Sequence, residues 1–283
     1  MVKKSMVLLI VLFIGGLAFI FRNQLINSIQ QRLLRSLDGK AIVDNRQLLQ
    51  DPCFTHHLLY SLKGADRLWP HRVNSLQRLR YLYGEFPGFE CDIQFLADSG
   101  ILRIGHDAPA PPGPEGSGHD VPDGRDPGPA PDTFVDYLKL DSPRRKLFWL
   151  DIKNVNAGNI HSFCDRLHVL DSLYSIRQRV IIELYDTLTA LTVREQGFLT
   201  ALNAGWIDSS RIPVMRTLYP QRINLLSSDA GRLPMLRRDL PGSKQIAWDI
   251  AFRNGISRDN LLKMANDTDL LVCLINVKSP GYR

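Results

Sequence analysis

Histidine, carboxylate and lysine side chains concentrate in four short segments of the 283-residue sequence, each at the end of an apolar run. The segments are residues 69–75, 89–93, 105–107 and 148–154. Short apolar runs that alternate with helical patterns are typical of parallel strands in α/β proteins, and catalytic groups gather at the carboxyl ends of such strands. Two histidines, three carboxylates and one lysine in these positions therefore predict a site for acid–base and metal chemistry.

The second segment carries two acids on one strand face. Glu90 and Asp92 are two residues apart, so both side chains project from the same side of a strand. Like charges on one buried face are unfavourable unless a cation lies between them, and carboxylate oxygens suit Mg²⁺ or Ca²⁺ better than Zn²⁺. Asp151 could complete a site with three carboxylates. Lys153, on the same face as Asp151, would add positive charge for a phosphate.

Each of these residues also has a purely structural interpretation. Glu90 and Asp92 could face solvent, although the apolar residues around them favour a buried strand. A lone histidine is more often structural than catalytic, and Asp151 with Lys153 could form a simple salt bridge. The conjunction of all of them at predicted strand ends favours the chemical interpretation.

Eight short apolar runs predict β-strands that alternate with helical patterns. The predicted strands cover residues 68–73, 89–95, 101–105, 147–152, 180–184, 213–217, 246–250 and 270–276. The predicted helices cover residues 75–83, 159–174, 187–203 and 258–266. This order predicts an α/β fold, a single and somewhat irregular (β/α)8 TIM-type barrel over residues 55–283.

Residues 108–132 interrupt the pattern with eight prolines and five glycines in 25 residues. Such a composition cannot continue a helix or a central strand, so it predicts a long surface loop. Because this loop begins directly after His106 and Asp107, we expect it to border the substrate entrance.

The first 50 residues carry most of the net charge. They hold seven lysines and arginines against two aspartates, which is five of the six net positive charges of the chain. This distribution predicts contact with an anionic membrane surface and argues against a nucleic-acid partner.

An apolar run of 16 residues lies between Lys4 and Arg22. It predicts a transmembrane signal anchor over residues 1–24 with its N-terminus inside, followed by a juxtamembrane helix or linker over residues 25–54. A cleaved signal peptide is the main alternative, since small residues near position 17 offer a cleavage site, and a buried core helix is a third. In both leading interpretations the remainder of the chain lies outside the cytoplasm.

The four cysteines, Cys53, Cys91, Cys164 and Cys273, are far apart in the sequence. Without a C-x-x-C pair they predict neither a zinc site nor a dense disulfide framework. We expect them to be buried free thiols.

The order of the motifs resembles that of sphingomyelinase D and the wider glycerophosphodiester phosphodiesterase superfamily. H-x-V-N at residues 71–74 is followed by E-x-D at 90–92, by a histidine after the next strand, and by D-x-K at 151–153. The resemblance implies that His71 and His106 form an acid–base pair. The implied ligands of one Mg²⁺, with Ca²⁺ as the alternative, are Glu90, Asp92 and Asp151. The implied substrate-binding residues are Lys153, Asn74, Arg72 and Trp248.

The chain departs from the pattern of each subfamily. It lacks the P-E-N-T box of the glycerophosphodiesterases and the cysteine-bridged loop of sphingomyelinase D, and it has D-x-K where the glycerophosphodiesterases have E-x-K. Residues 71–75 also resemble menorin-type domains. These departures bear on the prediction of the substrate more than on the prediction of the fold.

The resemblance implies a metal-dependent phosphodiesterase that cleaves a glycerophosphodiester or a (lyso)phospholipid by acid–base catalysis with two histidines. A non-catalytic extracytoplasmic binding domain on the same barrel is the alternative. A glycoside hydrolase would also use carboxylates, but its acid and base stand roughly 5–9.5 Å apart across the substrate. Glu90 and Asp92, adjacent on one strand face, fit a metal better.

Overall fold

The fold is described from a computed structural model for residues 57–106, 131–205, 225–241, 243–248 and 269–277, together with a few isolated positions between residues 212 and 267. The chain divides into two compact units, Met1–Asp44 and Asn45–Arg283, and every described residue belongs to the second.

Nine strands form one sheet in the described part of the chain. They are β1 (Leu68–Pro70), β2 (Gly88–Leu96), β3 (Ile101–Ile104), β4 (Leu147–Ile152), β5 (Val180–Leu184), β6 (Leu199–Asn203), β7 (Leu225–Asp229), β8 (Lys244–Trp248) and β9 (Leu270–Ile275). The strand order is β1-β9-β8-β7-β6-β5-β4-β2-β3, with β3 antiparallel to β2 and all other pairs parallel. After β1, Val73 N–H donates to the Glu90 carbonyl at 2.8 Å, which links β1 to β2. The prediction of an α/β fold is confirmed, and the described strands form a curled, mainly parallel sheet.

Five α-helices with described bounds lie between these strands. They are α1 (Leu76–Leu82), α2 (Phe134–Leu140), α3 (Ile160–Tyr174), α4 (Thr187–Glu195) and α5 (Leu233–Asp239). Polar N-caps start three of them: Ser75 accepts from Arg78 N–H, Thr133 forms a capping box with Asp136, and Asp186 accepts from Thr189 N–H.

One face of the sheet packs against the helices, and an apolar core lies on the opposite face. Trp149 on β4, Ile181 on β5 and Leu199 on β6 stand side by side in register and are fully buried. Burial of side chains of this kind contributes about 1.5–3 kcal/mol each. The first residue of β2 is Gly88. A larger residue does not fit there, because its Cβ atom would lie 2.4 Å from the Trp69 ring. The three described cysteines, Cys91, Cys164 and Cys273, are buried thiols outside any disulfide, in agreement with the prediction.

Two predicted elements are wrong. The predicted helix over residues 187–203 ends at Glu195, since Gly197 takes a φ of +83°, and β6 follows. The predicted strand over residues 213–217 is incorrect because its described residues, Pro213 and Met215, are helical. Two strands were not predicted, β6 and β7. The apolar residues of β6 continue the helical spacing of α4. The sequence therefore predicted one long helix where the structure has a helix followed by a strand.

The predicted single-pass membrane localisation is corrected by the structure. Over the residues that it describes, no helix combines the length and the apolar character needed to cross a bilayer. The segments predicted as anchor (residues 1–24) and as juxtamembrane helix (25–54) lie outside the described residues. The same holds for nearly all of the predicted loop 108–132 and of the predicted helix 258–266.

Candidate active site

Three carboxylates meet where β2 and β4 run side by side. The register pairs Asp92 directly with Asp151, and Glu90 precedes Asp92 by two residues on the same face. One oxygen of each carboxylate lies within 4.8 Å of the others. Glu90 and Asp92 are 1% and 2% exposed, so water does little to relieve their repulsion.

The two oxygens of Glu90 differ in their surroundings. Oε2 accepts a hydrogen bond from Arg72 N–H at 2.5 Å, and this contact requires a left-handed backbone at Arg72, with φ of +55°. Oε1 is buried and has no hydrogen-bond partner in the described part of the chain. Burial, followed by the charges of Asp92 and Asp151, raises the pKa of Glu90 well above its usual value.

Lys153 is the ammonium group beside the cluster. Its Nζ donates to Asp92 Oδ1 at 2.9 Å, to Asp151, and to the Tyr185 hydroxyl at 3.2 Å. Burial opposes the charged amine, but Asp151 and Asp92 outweigh it and raise the pKa of Lys153. Burial likewise opposes the charged form of Asp92, yet Lys153 and Asn74 outweigh it and lower the pKa of that carboxyl. The pKa of Asp151 stays raised, chiefly by burial.

Asn74 contacts Asp92 with both ends of its amide. Its Nδ2 donates to Asp92 Oδ2 at 2.6 Å, and its Oδ1 accepts from the Asp92 N–H at 3.0 Å. The structure therefore places Asn74 where it fixes the rotamer of Asp92.

The two predicted catalytic histidines have different environments. His71 lines the cavity, with Nε2 3.7 Å from Glu90 Oε2, and burial followed by the charge of Arg72 lowers its pKa to about 4. His106 follows β3, is exposed, and its carbonyl accepts from Gln94 at 2.7 Å. His106 is not among the described residues that line the cavity.

A cavity of about 290 Å³ opens at these strand ends. Its described lining residues are His71, Arg72, Glu90, Asp92, Trp149, Asp151, Lys153, Glu183, Tyr185, Asn203, Trp248, Leu274 and Asn276. Of the predicted site residues, the lining thus includes all except Asn74 and His106. The Trp248 ring lies against Gly205, where a Cβ atom would come within 2.8 Å of it.

Glu183 forms a polar floor that the motifs did not indicate. Its carboxyl accepts from Trp149 Nε1 at 2.7 Å, from Asn203 Nδ2 at 2.7 Å and from the Ser227 hydroxyl at 2.5 Å. Burial, followed by the charge of Asp151, raises the pKa of Glu183 to about 8. Alternation with Ile181 on a predicted strand was an available signal for Glu183, whereas Asn203 and Ser227 lay on strands that the sequence did not reveal.

The carboxylate cluster has the chemistry of a site for a hard divalent cation. It offers three oxygen ligands, one buried oxygen that no described group satisfies, and three acids against one ammonium. Oxygen donors of this kind are those that Mg²⁺ and Ca²⁺ select. Glu90, Asp92 and Asp151 could therefore hold a divalent metal ion.

No protein-family model matches the sequence, and no curated protein matches it either. Solved structures do resemble it. A glycerophosphodiester phosphodiesterase of Parabacteroides distasonis has a TM-score of 0.52 at 14% identity, over 75% of this chain and 93% of the other. A Silicibacter pomeroyi protein described as a putative glycerophosphoryl diester phosphodiesterase has a TM-score of 0.54 at 14% identity, over 77% of this chain and 93% of the other. A Galdieria sulphuraria protein described as a putative glycerophosphodiester phosphodiesterase has a TM-score of 0.50 at 11% identity, over 74% of this chain and 93% of the other.

These likenesses confirm, for the fold, the resemblance to the glycerophosphodiester phosphodiesterases that the motifs predicted. The likeness to menorin-type domains stays a prediction.

Proposed function

We propose that this chain is a metal-dependent phosphodiesterase whose barrel domain, residues 55–283, cleaves a glycerophosphodiester or the head group of a (lyso)phospholipid. The observation that carries the proposal is the convergence of three carboxylates within 4.8 Å, one of them with an unsatisfied buried oxygen, in a cavity that also contains Lys153 and His71. The fold shared with glycerophosphodiester phosphodiesterases supports it. The link between Val73 and Glu90 supports closure of the sheet into a full (β/α)8 barrel.

Glu90, Asp92 and Asp151 would hold one Mg²⁺, with Ca²⁺ as the alternative ion. When bound, such an ion stabilises negative charge on a phosphoryl oxygen. Lys153 and Arg72 would supply further positive charge to the phosphate, since both line the same cavity.

His71 and His106 would act as the acid–base pair. With its pKa lowered to about 4, His71 is neutral at pH 7 and can accept the proton of an attacking hydroxyl. His106 would donate a proton to the leaving oxygen. In this assignment the two histidines stand on opposite sides of the phosphorus.

The size and polarity of the cavity favour a small hydrophilic substrate group. The described part of the cavity, about 290 Å³ and lined mainly by polar and charged side chains, suits a glycerol phosphate group. Leu274 is the single aliphatic residue of the described lining, and Trp248 offers an aromatic wall. We therefore expect soluble glycerophosphodiesters to be the better substrates, with any acyl chain outside the cavity.

A panel of phosphodiesters tests the proposal. The full chain is incubated with glycerophosphocholine, glycerophosphoethanolamine, lysophosphatidylcholine and sphingomyelin, with and without EDTA, and the products are identified by mass spectrometry. We expect glycerol phosphate or a cyclic phosphate, lost with EDTA and restored by Mg²⁺. The matched control is Asp151→Asn, which should be inactive under all conditions.

Turnover that is indifferent to EDTA would contradict the metal role. No turnover of any diester, together with tight binding of one of them, would favour the non-catalytic binding domain instead.

A further inference from the structure

Tyr185 bridges Asp151 on β4 and Lys153, which follows the end of that strand. It follows the last residue of β5, and its hydroxyl lies 2.9 Å and 3.1 Å from the two carboxylate oxygens of Asp151. Lys153 Nζ lies 3.2 Å from the same hydroxyl. Since an ammonium group can only donate, the hydroxyl accepts from Lys153 and gives its own proton to Asp151.

The sheet register explains why this contact forms. Asp151 pairs with Glu183 across β4 and β5. Two residues further on, just past the ends of both strands, Lys153 and Tyr185 lie in contact, as the two-residue alternation of side chains leads one to expect. Glu183 accepts hydrogen bonds from Trp149, Asn203 and Ser227, so Glu183 and Tyr185 contact different neighbours.

The bridge limits how Asp151 and Lys153 can move. Lys153 has three protons, and its three acceptors are Asp92, Asp151 and the Tyr185 hydroxyl. Without the hydroxyl, the ammonium would keep two acceptors, both carboxylates of the cluster, and would compete more strongly with a cation for them. Asp151 would also lose a donor that contacts both of its oxygens.

We propose that Tyr185 is a positioning residue, which orients Asp151 for the cation and draws the Lys153 ammonium away from the carboxylates toward the phosphate. This inference rests on the proposed function, because it assigns Tyr185 to the same metal and phosphate site. Groups that orient metal ligands typically contribute 10- to 100-fold to metal affinity.

Tyr185→Phe in the full chain tests the inference, because it keeps the ring and removes the hydroxyl alone. Isothermal titration with Mg²⁺ should show affinity 10- to 100-fold weaker than that of the parent, while the melting temperature without Mg²⁺ stays nearly unchanged. The Mg²⁺ activation curve of the phosphodiesterase should shift by the same factor, and saturating Mg²⁺ should restore kcat to within a few-fold. The matched control is Tyr81→Phe, which alters an exposed tyrosine of α1 outside the cavity lining and should change neither quantity.

The outcomes separate this inference from the proposed function. If Tyr185→Phe binds Mg²⁺ as tightly as the parent while Asp151→Asn does not bind it, the role of Tyr185 is overturned and the metal site stands. Activity lost at every Mg²⁺ concentration with parental affinity would also overturn it, because the hydroxyl would then act on the substrate. A parent protein that binds no Mg²⁺ would overturn both proposals.

Discussion

Buried acids occupy both ends of the parallel strands, and the two groups are neutralised in different ways. At the amino ends, Asp141 precedes β4 and is fully buried. It accepts from the Tyr83 hydroxyl at 2.6 Å, from the Arg145 N–H at 3.1 Å, from the Lys146 N–H at 3.2 Å and from the Arg179 guanidinium at 2.5 Å.

At the carboxyl ends, the Lys153 ammonium pairs with Asp92 and Asp151, and Glu90 Oε1 has no partner among the described groups. A carboxylate saturated by protein donors stabilises the fold, whereas one left with an unpaired buried oxygen destabilises it. The comparison teaches that the buried acid at the amino ends is satisfied by protein donors, whereas the acids at the carboxyl ends keep an unmet buried oxygen, which is the division expected where ligands bind at the carboxyl ends of parallel strands.

The largest expected effect is at the amino ends. Asp141→Ala leaves the buried Arg179 guanidinium without its carboxylate and should lower the free energy of unfolding by about 3–5 kcal/mol, measured by urea denaturation. Mg²⁺ affinity should not change in the fraction that folds. Asp98→Ala, an exposed position after β2, is the control and should stay within about 0.5 kcal/mol. A loss below about 1 kcal/mol for Asp141→Ala would contradict the comparison.

Removal of either histidine should affect turnover and not folding. A positioned acid or base contributes ~10²- to 10⁴-fold, or roughly 3–5 kcal/mol of barrier. His71→Ala and His106→Ala should each lose phosphodiesterase activity on this scale, with melting temperature and Mg²⁺ affinity nearly unchanged. If both variants unfold, the histidines are structural. If both keep full activity, the proposed acid–base pair is incorrect.

Neutralising Glu90 should change the free energy of unfolding in the opposite direction to Asp141→Ala. Because burial, followed by the charges of Asp92 and Asp151, raises the pKa of Glu90, ionisation of this carboxyl destabilises the folded state, and Glu90→Gln should raise the free energy of unfolding without metal. The same variant should lose the stabilisation that Mg²⁺ gives the parent. Thermal melts with and without Mg²⁺ measure both effects, and a Glu90→Gln protein less stable than the metal-free parent would refute this prediction.

The smallest expected effect is the acid sensitivity of His57 at the amino ends. Its Nδ1 accepts from Leu59 N–H at 3.1 Å, so Nε2 carries the proton that it donates to the Val180 carbonyl at 3.0 Å. Burial lowers its pKa from 6.5 to about 4, which means that its contribution is full above pH 6.5 and is lost as the pH falls toward 4. Between pH 6.5 and 5 the parent should lose about 2 kcal/mol more than His57→Gln, as measured by urea unfolding at each pH. Parallel pH profiles would show that His57 does not titrate in this way.

The sequence predicted the carboxylate cluster because the cluster depends on strand alternation. E-x-D and D-x-K each place two side chains on one face, and a parallel pairing of β2 with β4 brings Asp92 opposite Asp151. No knowledge of the loops was needed for this step. The same reasoning failed for β6, whose apolar residues continue the helical spacing of α4, and so Asn203 was placed at the end of a helix.

Contacts that depend on loop geometry were beyond the sequence analysis. The left-handed backbone at Arg72 turns its N–H toward Glu90, and the same turn brings the Asn74 amide onto Asp92. A non-glycine residue in this conformation has no reliable sequence signal. The bridge from Tyr185 to Asp151 and Lys153 depended likewise on the register of β4 with β5, which spacing alone does not determine.

The polar floor of the cavity gives the protein an optical reporter of its own site. Two tryptophans, Trp149 and Trp248, are among the described residues that line the cavity, and the Trp149 indole donates to Glu183 at 2.7 Å. The emission of an indole responds to the electric field along its ring, so the arrival of a divalent cation or a phosphate a few ångströms away changes the fluorescence spectrum. Stopped-flow fluorescence of the unlabelled chain can therefore resolve metal entry and substrate entry as separate steps in time.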